Sequence, residues 1–358
     1  MEDNASKKEI LGLNMDELKA EVAEMGEKPF RAKQIYSWLH SKRVESFDEM
    51  TDLSEKLREK LKERFYISTL HEVRCQRASD GTTKLLLELN DGNTIETVLM
   101  YHDYGTSLCV STQVGCRMGC KFCASTVGGK VRDLTAGEIL SEVYTMGRIM
   151  NVTINKIVLM GIGEPLDNYK NVMRFLELLN SKDGLNMSLR HVSLSTCGIV
   201  PNIYKLADEK LQVTLSVSLH APTNETRNKI MPINRLYHIE ELMEACKYYF
   251  NTTGRRISYE YALILGVNDN LENAKMLADL LDGQACHINL IPVNPVEGTG
   301  FLKTGKKGIE EFRSYLEKRG FAATVRREMG SEIDAACGQL RQKDKKGERP
   351  NVVERKYR

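Results

Sequence analysis

The sequence predicts an α/β protein: a mostly parallel sheet with helices between its strands, preceded by a small helical domain and a β-hairpin. Three features carry that reading. From about residue 106 onward, short apolar runs suited to strands alternate with amphipathic helical stretches, as a parallel sheet requires. Before residue 67 the apolar residues recur at helical spacing. Between the two, "TTKLLLELNDGNTIETVLMY" holds two alternating runs around the turn signal "NDGN".

The elements follow in order. "NMDELKAEVAEM" and "KPFRAKQIYSWLH" are helices, the second with Ile35, Trp38 and Leu39 on one stripe. "SEKLREKLKERF" is a third, with Leu57 and Leu61 four apart. Arg31, Lys33, Lys42 and Arg43 lie around the second helix, as an RNA-facing surface or as an ordinary solvated face. Residues 68–105 form the hairpin segment. In 106–340 the expected strands are "SLCVS", "KIVLMG", "HVSLST", "VTLSVSLH", "ISYEYALI" and "HINLIPV", with helices such as "TAGEILSEVYTMGRIM" between them. Thr135 and Glu138 fit a capping box, and Asp269 with Glu272 is a looser echo before a later helix. Six strands with intervening helices fit either an open barrel or a doubly wound sheet. In both, the loops after the strands' C-terminal ends carry the chemistry.

Composition is ordinary for a globular protein: 358 residues, 41% hydrophobic and 28% charged, with a net charge of only +2. The charge is uneven. Residues 341–358 hold eight Lys/Arg against three Asp/Glu, which suits a solvated end or an arm for a phosphate backbone. The start "MEDNASKKEI" does not look like a secretory signal, and no apolar run is long enough to span a bilayer. A cytoplasmic chain without membrane attachment is therefore expected. In a reducing compartment, clustered cysteines read as metal-binding or catalytic rather than disulfide-bonded.

Three of the nine cysteines are clustered. "GCRMGCKFCAS" places Cys116, Cys120 and Cys123 within eight residues, just after the first strand of the α/β region. Structural zinc prefers four closed ligands, commonly from paired CxxC units, but no second pair is present. Three thiolates instead suit a [4Fe–4S] cluster with one iron left open for a small molecule.

A C-x3-C-x2-C loop in this place, with Phe122 before the third cysteine, resembles the radical S-adenosylmethionine (SAM) superfamily. The resemblance implies a partial (β/α)6 barrel. It also implies that Cys116, Cys120 and Cys123 hold the cluster, whose open iron chelates the amino and carboxylate groups of SAM. An electron then cleaves SAM to methionine and a 5′-deoxyadenosyl radical. "GIGEPL" at 161–166 looks like the superfamily's glycine-rich SAM motif. Gly161 and Gly163 would let backbone approach SAM, and Glu164 would accept from its amino group. Ser195, Ser218 with Leu219 and His220, and Asn294 fall at successive strand ends where the resemblance puts further SAM contacts. On their own they would read as helix caps or turn residues.

"GSEIDAACGQLR" narrows the family. It resembles "DIDAACGQL", a signature of the RlmN/Cfr RNA methyltransferases, and departs from it only at Glu332. "PFRAKQIYSWLH", "TIETVLM", "GIGEPLDN", "SLHAP" and "MPIN" extend the resemblance from the N-terminal helices to about residue 341. It implies that one SAM methylates Cys337. A second SAM activates that methyl group, which adds to an adenine ring as a covalent protein–RNA adduct. Cys109 would then release the adduct by forming a disulfide with Cys337, and Glu96 matches the family's general base. Without the resemblance, Glu96 reads as a solvent-facing residue of an alternating strand. Cys75, Cys197, Cys246 and Cys286 have no motif and read as buried small hydrophobes.

The implied partners are 23S rRNA, tRNA and a flavodoxin- or ferredoxin-type electron donor, with a monomer expected. The target base must leave its stack to reach the cofactor, and the N-terminal helices and the 341–358 segment are the expected RNA-holding parts. "GIGEPL" and "PVNP" look more like the branch that methylates adenine C2, whereas the C8 branch has Ala in place of Pro165. Two rivals remain: a nucleic-acid-binding scaffold with a structural metal, and a radical SAM enzyme acting on protein, which would need no Cys337.

Overall fold

In the computed structural model, which describes residues 7–296 and 298–340, the chain begins with a helical cap. β1 (Lys8–Glu9) and β2 (Phe65–Tyr66) pair in parallel and close it around α1 (Met15–Glu24), α2 (Phe30–Ser37) and α3 (Glu55–Arg64). Asn14 starts α1 with a reciprocal bond to Glu17, and Ser54 caps α3. Leu57 and Leu61 are buried as their spacing requires, and so are Ile35 and Leu39. Trp38 is only half-buried, but it too packs against the core. It opens a π turn, Trp38–Lys42. There its indole N–H donates to Asp52, and the Lys42 ammonium sits 3.1 Å over its ring.

The four basic residues around this helix do not form one free face. Lys42 is held on Trp38, and Arg31 lies over Phe30 and donates to Gln34. Arg43 reaches over the Tyr144 ring of the following region. Only Lys33 fits the simple solvated description. The segment 341–358 lies outside the described residues.

A meander follows: β3 (His71–Arg77), β4 (Thr83–Glu88), β5 (Thr94–His102) and β6 (Gly105–Cys109), each antiparallel to the next. A short ribbon of β7 (Gln113–Gly115) and β8 (Lys130–Asp133) then brackets the cysteine loop. From there helices and strands alternate: α4 (Ala136–Met150), β9 (Lys156–Leu159), α5 (Tyr169–Asn180), β10 (Val192–Thr196), α6 (Val200–Asp208) and β11 (Thr214–Ser218). The series continues with α7 (Asn224–Ile230), α8 (Ile239–Thr253), β12 (Ile257–Leu263), α9 (Leu271–Leu280), β13 (Cys286–Pro292), α10 (Lys306–Lys318) and β14 (Ala322–Val325).

The main sheet has ten strands in the order β14-β13-β12-β11-β10-β9-β6-β5-β4-β3. Two expectations change here. The hairpin is not a linker, because β5 pairs with β6 and carries the sheet on without a break. A seventh parallel strand, β14, pairs with β13; its largely exposed "AATV" gives little apolar signal. The order from β6 to β14 never reverses. A doubly wound sheet needs a reversal, whereas right-handed crossovers in one direction put every helix on one face, as in a barrel. The order thus selects the open barrel over the alternative.

The other face is therefore the lumen. Along β10 and β13 buried apolar residues alternate with half-exposed polar ones. Register aligns these into rows: Ser195 with Ser216, Ser258 and His287, and then Ser218 with Glu260, Asn289 and Thr324. Small polar residues leave this lumen open, where a filled barrel would carry Val, Ile and Leu. The capping box at Thr135 and Glu138 is present. The Asp269 echo is displaced by one residue: Asn270 caps α9, while Asp269 accepts from Gly266 N–H and the Thr304 hydroxyl.

Candidate active site

The C-terminal ends of the parallel strands surround a cleft. Cys116, Cys120 and Cys123 line it together with Gly161, Gly163, Glu164, Ser195, Ser218, His220, Asn294 and Cys337. Eleven residues spread over 222 positions of sequence thus meet at one site. Leu219 does not join them. Its side chain is in the helix-packed core, its N–H donates to Glu260 O, and its carbonyl accepts from Arg227.

The cysteine loop is held at both ends. Cys116 N–H donates to Gly129 O across the ribbon, and Lys121 N–H to Ile230 O. Gly115 is required at φ 74, where a Cβ would strike the Gly129 carbonyl. Burial pushes the Cys116 thiol up to about 12 and raises Cys120 and Cys123 as well. Buried thiolates need a cation beside them, and binding iron would release their protons. Among the described residues, no three His, Cys, Asp or Glu side chains converge on a single metal ion. A [4Fe–4S] cube makes a different demand, because each thiolate binds its own iron. Cys116, Cys120 and Cys123, three thiols on one short loop at the edge of the cleft, fit that group.

The glycine-rich loop lines the cleft and also makes close backbone contacts of its own. A Cβ on Gly161 would lie 2.6 Å from the Val110 carbonyl oxygen, and one on Gly163, at φ 111, would lie 2.7 Å from Gln113 Cβ. These glycines let the loop pack on the strand before the cysteines, as well as lining the cleft. Gln113 fastens the junction: its carbonyl accepts from Glu164 N–H, and its amide donates to Asp133 and Asp167. The Glu164 carboxylate accepts from Cys197 N–H at 2.7 Å and Leu166 N–H at 3.0 Å, while burial raises its pKa.

His220 has one defined tautomer. Its Nδ1 accepts from Ala262 N–H at 2.9 Å, so its proton is on Nε2. Burial, helped by Arg227, pushes its pKa down to about 3, so the ring is neutral, and it packs edge-on to Phe122. Arg227, which the sequence reading missed, is fully buried. Its guanidinium bonds the carbonyls of Leu219, Cys197 and Ser218 and the side chain of Asn234, tying the ends of β10 and β11 to the turn after α7. Cys197 is buried as expected but also lines the cleft.

Cys337 reaches the cleft on a strap, residues 329–340, pinned from two sides. On one side Ala124 N–H donates to Gly338 O, the Ser125 hydroxyl to Leu340 O, and Asn294 to Cys337 O. On the other side the turn before β4 takes hold. Ser79 donates to Glu332 through its amide and hydroxyl, and Gly330 N–H donates to Asp80. Lys84 donates to Asp334 O at 3.0 Å. Thus Glu332, where this sequence departs from the signature, is itself an anchor of the strap.

Cys109 lies beneath the strap, packed with Val98, Ala335 and Leu340. Burial raises its pKa, and the Cys337 sulfur, close enough to couple to it, raises it further. Both thiols are free. Glu96 is not solvent-facing. It is 1% exposed, and its carboxylate lies 3.1 Å from Lys84 Nζ. Leu86 is opposite Glu96 and Val98 is opposite Lys84, so the two charges are diagonal neighbours on the face that the strap covers.

Two more cleft residues had no sequence signal. Glu260 is a buried carboxyl, raised in pKa by burial and bonded by Asn289 and Ser258. Arg326 follows β14, lines the cleft and donates across the lumen to Met160 Sδ. The neighbouring Cys337, more than any other group, raises its pKa.

Comparison with known proteins agrees with this geometry. Residues 8–67 match the family described as ribosomal RNA large subunit methyltransferase N-terminal domain, and residues 110–278 match the radical SAM superfamily. A protein of Lachnospira eligens named "Probable dual-specificity RNA methyltransferase RlmN" is 53% identical over 336 residues, covering 94% of this chain and 96% of its own. A Bacillus subtilis protein of the same name is 52% identical over 342 residues, covering 95% of this chain and 94% of its own. The crystal structure of a radical SAM methyltransferase from Sphaerobacter thermophilus superimposes with a TM-score of 0.90 at 43% identity. It covers 93% of this chain and 99% of its own.

Proposed function

The chain belongs to the RlmN family of the radical SAM superfamily, and from that premise we propose that it methylates C2 of adenosine in RNA. The substrates are the adenosine at the peptidyl-transferase centre of 23S rRNA and the adenosine beside the anticodon of certain tRNAs. The observation that carries this is the meeting of Cys337 with the three cluster cysteines in one cleft, above Cys109. An adenine ring carbon is not nucleophilic enough to take a methyl group from SAM directly, so a carrier thiol is needed. A radical SAM enzyme acting directly on protein would need no such carrier.

Cys116, Cys120 and Cys123 would hold the cluster; Gly163, Glu164, Ser195, Ser218, His220 and Asn294 would hold SAM. When bound, the cluster would supply one-electron reduction of SAM at this site. Cys337 accepts the methyl group, carries it, and stays bonded to the adenine after it adds. Cys109 then attacks the Cys337 sulfur as the thiolate; the S–C bond breaks, the two sulfurs join as a disulfide, the freed carbon keeps the bond pair and takes a proton to become the methyl group, and the unpaired electron left by the addition returns to the redox group that supplied it as the methylated base leaves. Glu96 takes the ring proton. Because Glu96 lies under the strap and against Lys84, this step requires the strap to lift. Pro165 lines the cleft, so the residue that separates the C2 from the C8 pattern falls at the site itself. A flavodoxin- or ferredoxin-type protein supplies electrons, and the chain works as a cytoplasmic monomer. No helix among the described residues is long and apolar enough to cross a membrane.

The test is anaerobic turnover of cluster-loaded protein with SAM, reductant and protein-free 23S rRNA, followed by nucleoside mass spectrometry. 2-Methyladenosine is expected, absent with Cys337→Ala, while Cys109→Ala accumulates the covalent protein–RNA adduct. 8-Methyladenosine would move the chain to C8 chemistry. Neither product, with SAM still cleaved, would overturn the RNA reading.

A further inference from the structure

Away from the N-terminal cap, one exposed turn combines aromatic rings with cations. Where β5 turns into β6 the chain reads Tyr101-His102-Asp103-Tyr104, the first two residues ending β5. Tyr104 is 62% exposed and Tyr101 36%. The His102 and Tyr104 rings stack with centroids 4.7 Å apart at 11°, and Lys156 Nζ sits 3.7 Å over the Tyr104 ring. Lys156, Arg326 and Arg327 all act on His102, whose pKa falls through burial first and these cations next; Asp103 alone opposes them. The turn is not remote from the chemistry. Arg326 lines the cleft beside Cys337 and is also within electrostatic reach of Tyr104. The Tyr101 ring packs on Gly81, in the turn whose neighbours Ser79 and Asp80 anchor the strap.

We propose that the Tyr101–Tyr104 turn, with Lys156 and Arg327, is a stacking platform for an unpaired RNA nucleotide adjoining the target adenosine. This rests on the RNA reading above and adds the surface that the substrate uses. Lys156 and Arg327 beside the exposed rings suit a polyanion. Exposed aromatic rings favour one whose bases are unstacked, which describes the strand beside a flipped-out base. The Lys156 ammonium does not block the ring. An exposed cation–π contact is worth about 0.5–1 kcal/mol, against about 1–3 kcal/mol for a base stacked on an aromatic side chain. An arriving base therefore displaces the ammonium, which turns to the nucleotide's phosphate.

The experiment uses full-length, cluster-loaded protein and a fluorescein-labelled 23S rRNA stem–loop carrying the target adenosine, read by anisotropy across a salt series. SAM-dependent methylation of Cys337 without RNA is measured in parallel to show that each variant is folded and loaded. Tyr104→Ala is expected to weaken RNA binding about tenfold, equivalent to about 1.4 kcal/mol. Tyr104→Phe should match wild type. Arg327→Gln should lower the slope of log Kd against log salt by about 0.7, one single-strand phosphate contact. Cys337 methylation should be unchanged in all three. Tyr104→Ala binding within twofold of wild type would overturn the platform. Tyr104-dependent binding with no methyladenosine formed would uphold the platform and sink the proposed reaction. Wild-type protein that binds no RNA would remove both.

Discussion

Replacing Lys84 with Met tests how the strap and the proposed base are joined. Lys84 Nζ lies 3.1 Å from Glu96 Oε1 and 3.0 Å from the Asp334 carbonyl, and both side chains of the pair are at most 2% exposed. Removing one partner of a buried ion pair costs about 3–5 kcal/mol, because the other charge stays buried and loses that attraction. The bond to Asp334 is made by the same nitrogen, so its contribution overlaps, and a total near 4 kcal/mol is expected. The assay is urea unfolding at neutral pH, cluster occupancy held equal. Lys84→Met with Glu96→Gln should recover most of the loss, since a neutral pair in the same space carries no stranded charge. A second readout follows the strap alone: iodoacetamide should alkylate Cys337 faster in Lys84→Met, because the Asp334 anchor is gone. A loss below about 1 kcal/mol would mean that the pair is not held dry, contrary to this reasoning. A double variant as unstable as the single one would show that the Glu96 charge is not what costs.

Two further outcomes follow from buried groups. Glu142 is fully buried and accepts from Ser111 N–H with both oxygens, at 3.0 and 3.2 Å; burial raises its pKa well above 4.5. Below pH 4.5 both states hold the proton and the stability is complete. As pH rises past 4.5 the unfolded carboxyl ionises first, so stability falls until the folded pKa is passed. Glu142→Gln should flatten that decline, gaining on wild type by about 1.4 kcal/mol per pH unit in the window; parallel urea midpoints from pH 5 to 8 would refute it. Gly163→Ala should cost about 3 kcal/mol from the strained φ and the contact with Gln113, and should abolish SAM binding measured by equilibrium dialysis. Wild-type SAM affinity would show that the loop does not depend on that close approach.

What the sequence determined about this protein is what neighbours along the chain decide. The C-x3-C-x2-C loop, the Thr135–Glu138 box, the strand runs and the glycines of "GIGEPL" are local patterns, and each stands where its pattern put it. Even there the reason could differ, since Gly161 and Gly163 serve a backbone contact across the sheet that spacing does not reveal. Only the tertiary structure decided which face of the hairpin is dry. Alternation made Glu96 look solvated, but the strap returns from more than 230 residues away and buries the face that carries Glu96 and Lys84. Arg227, Glu260 and Arg326 were silent for the same reason: a charge's role depends on which distant carbonyls, amides and thiols fold around it. Periodicity records burial against the bulk of the protein. It does not record which segment does the burying, and here that segment is the one that brings Cys337 to the site.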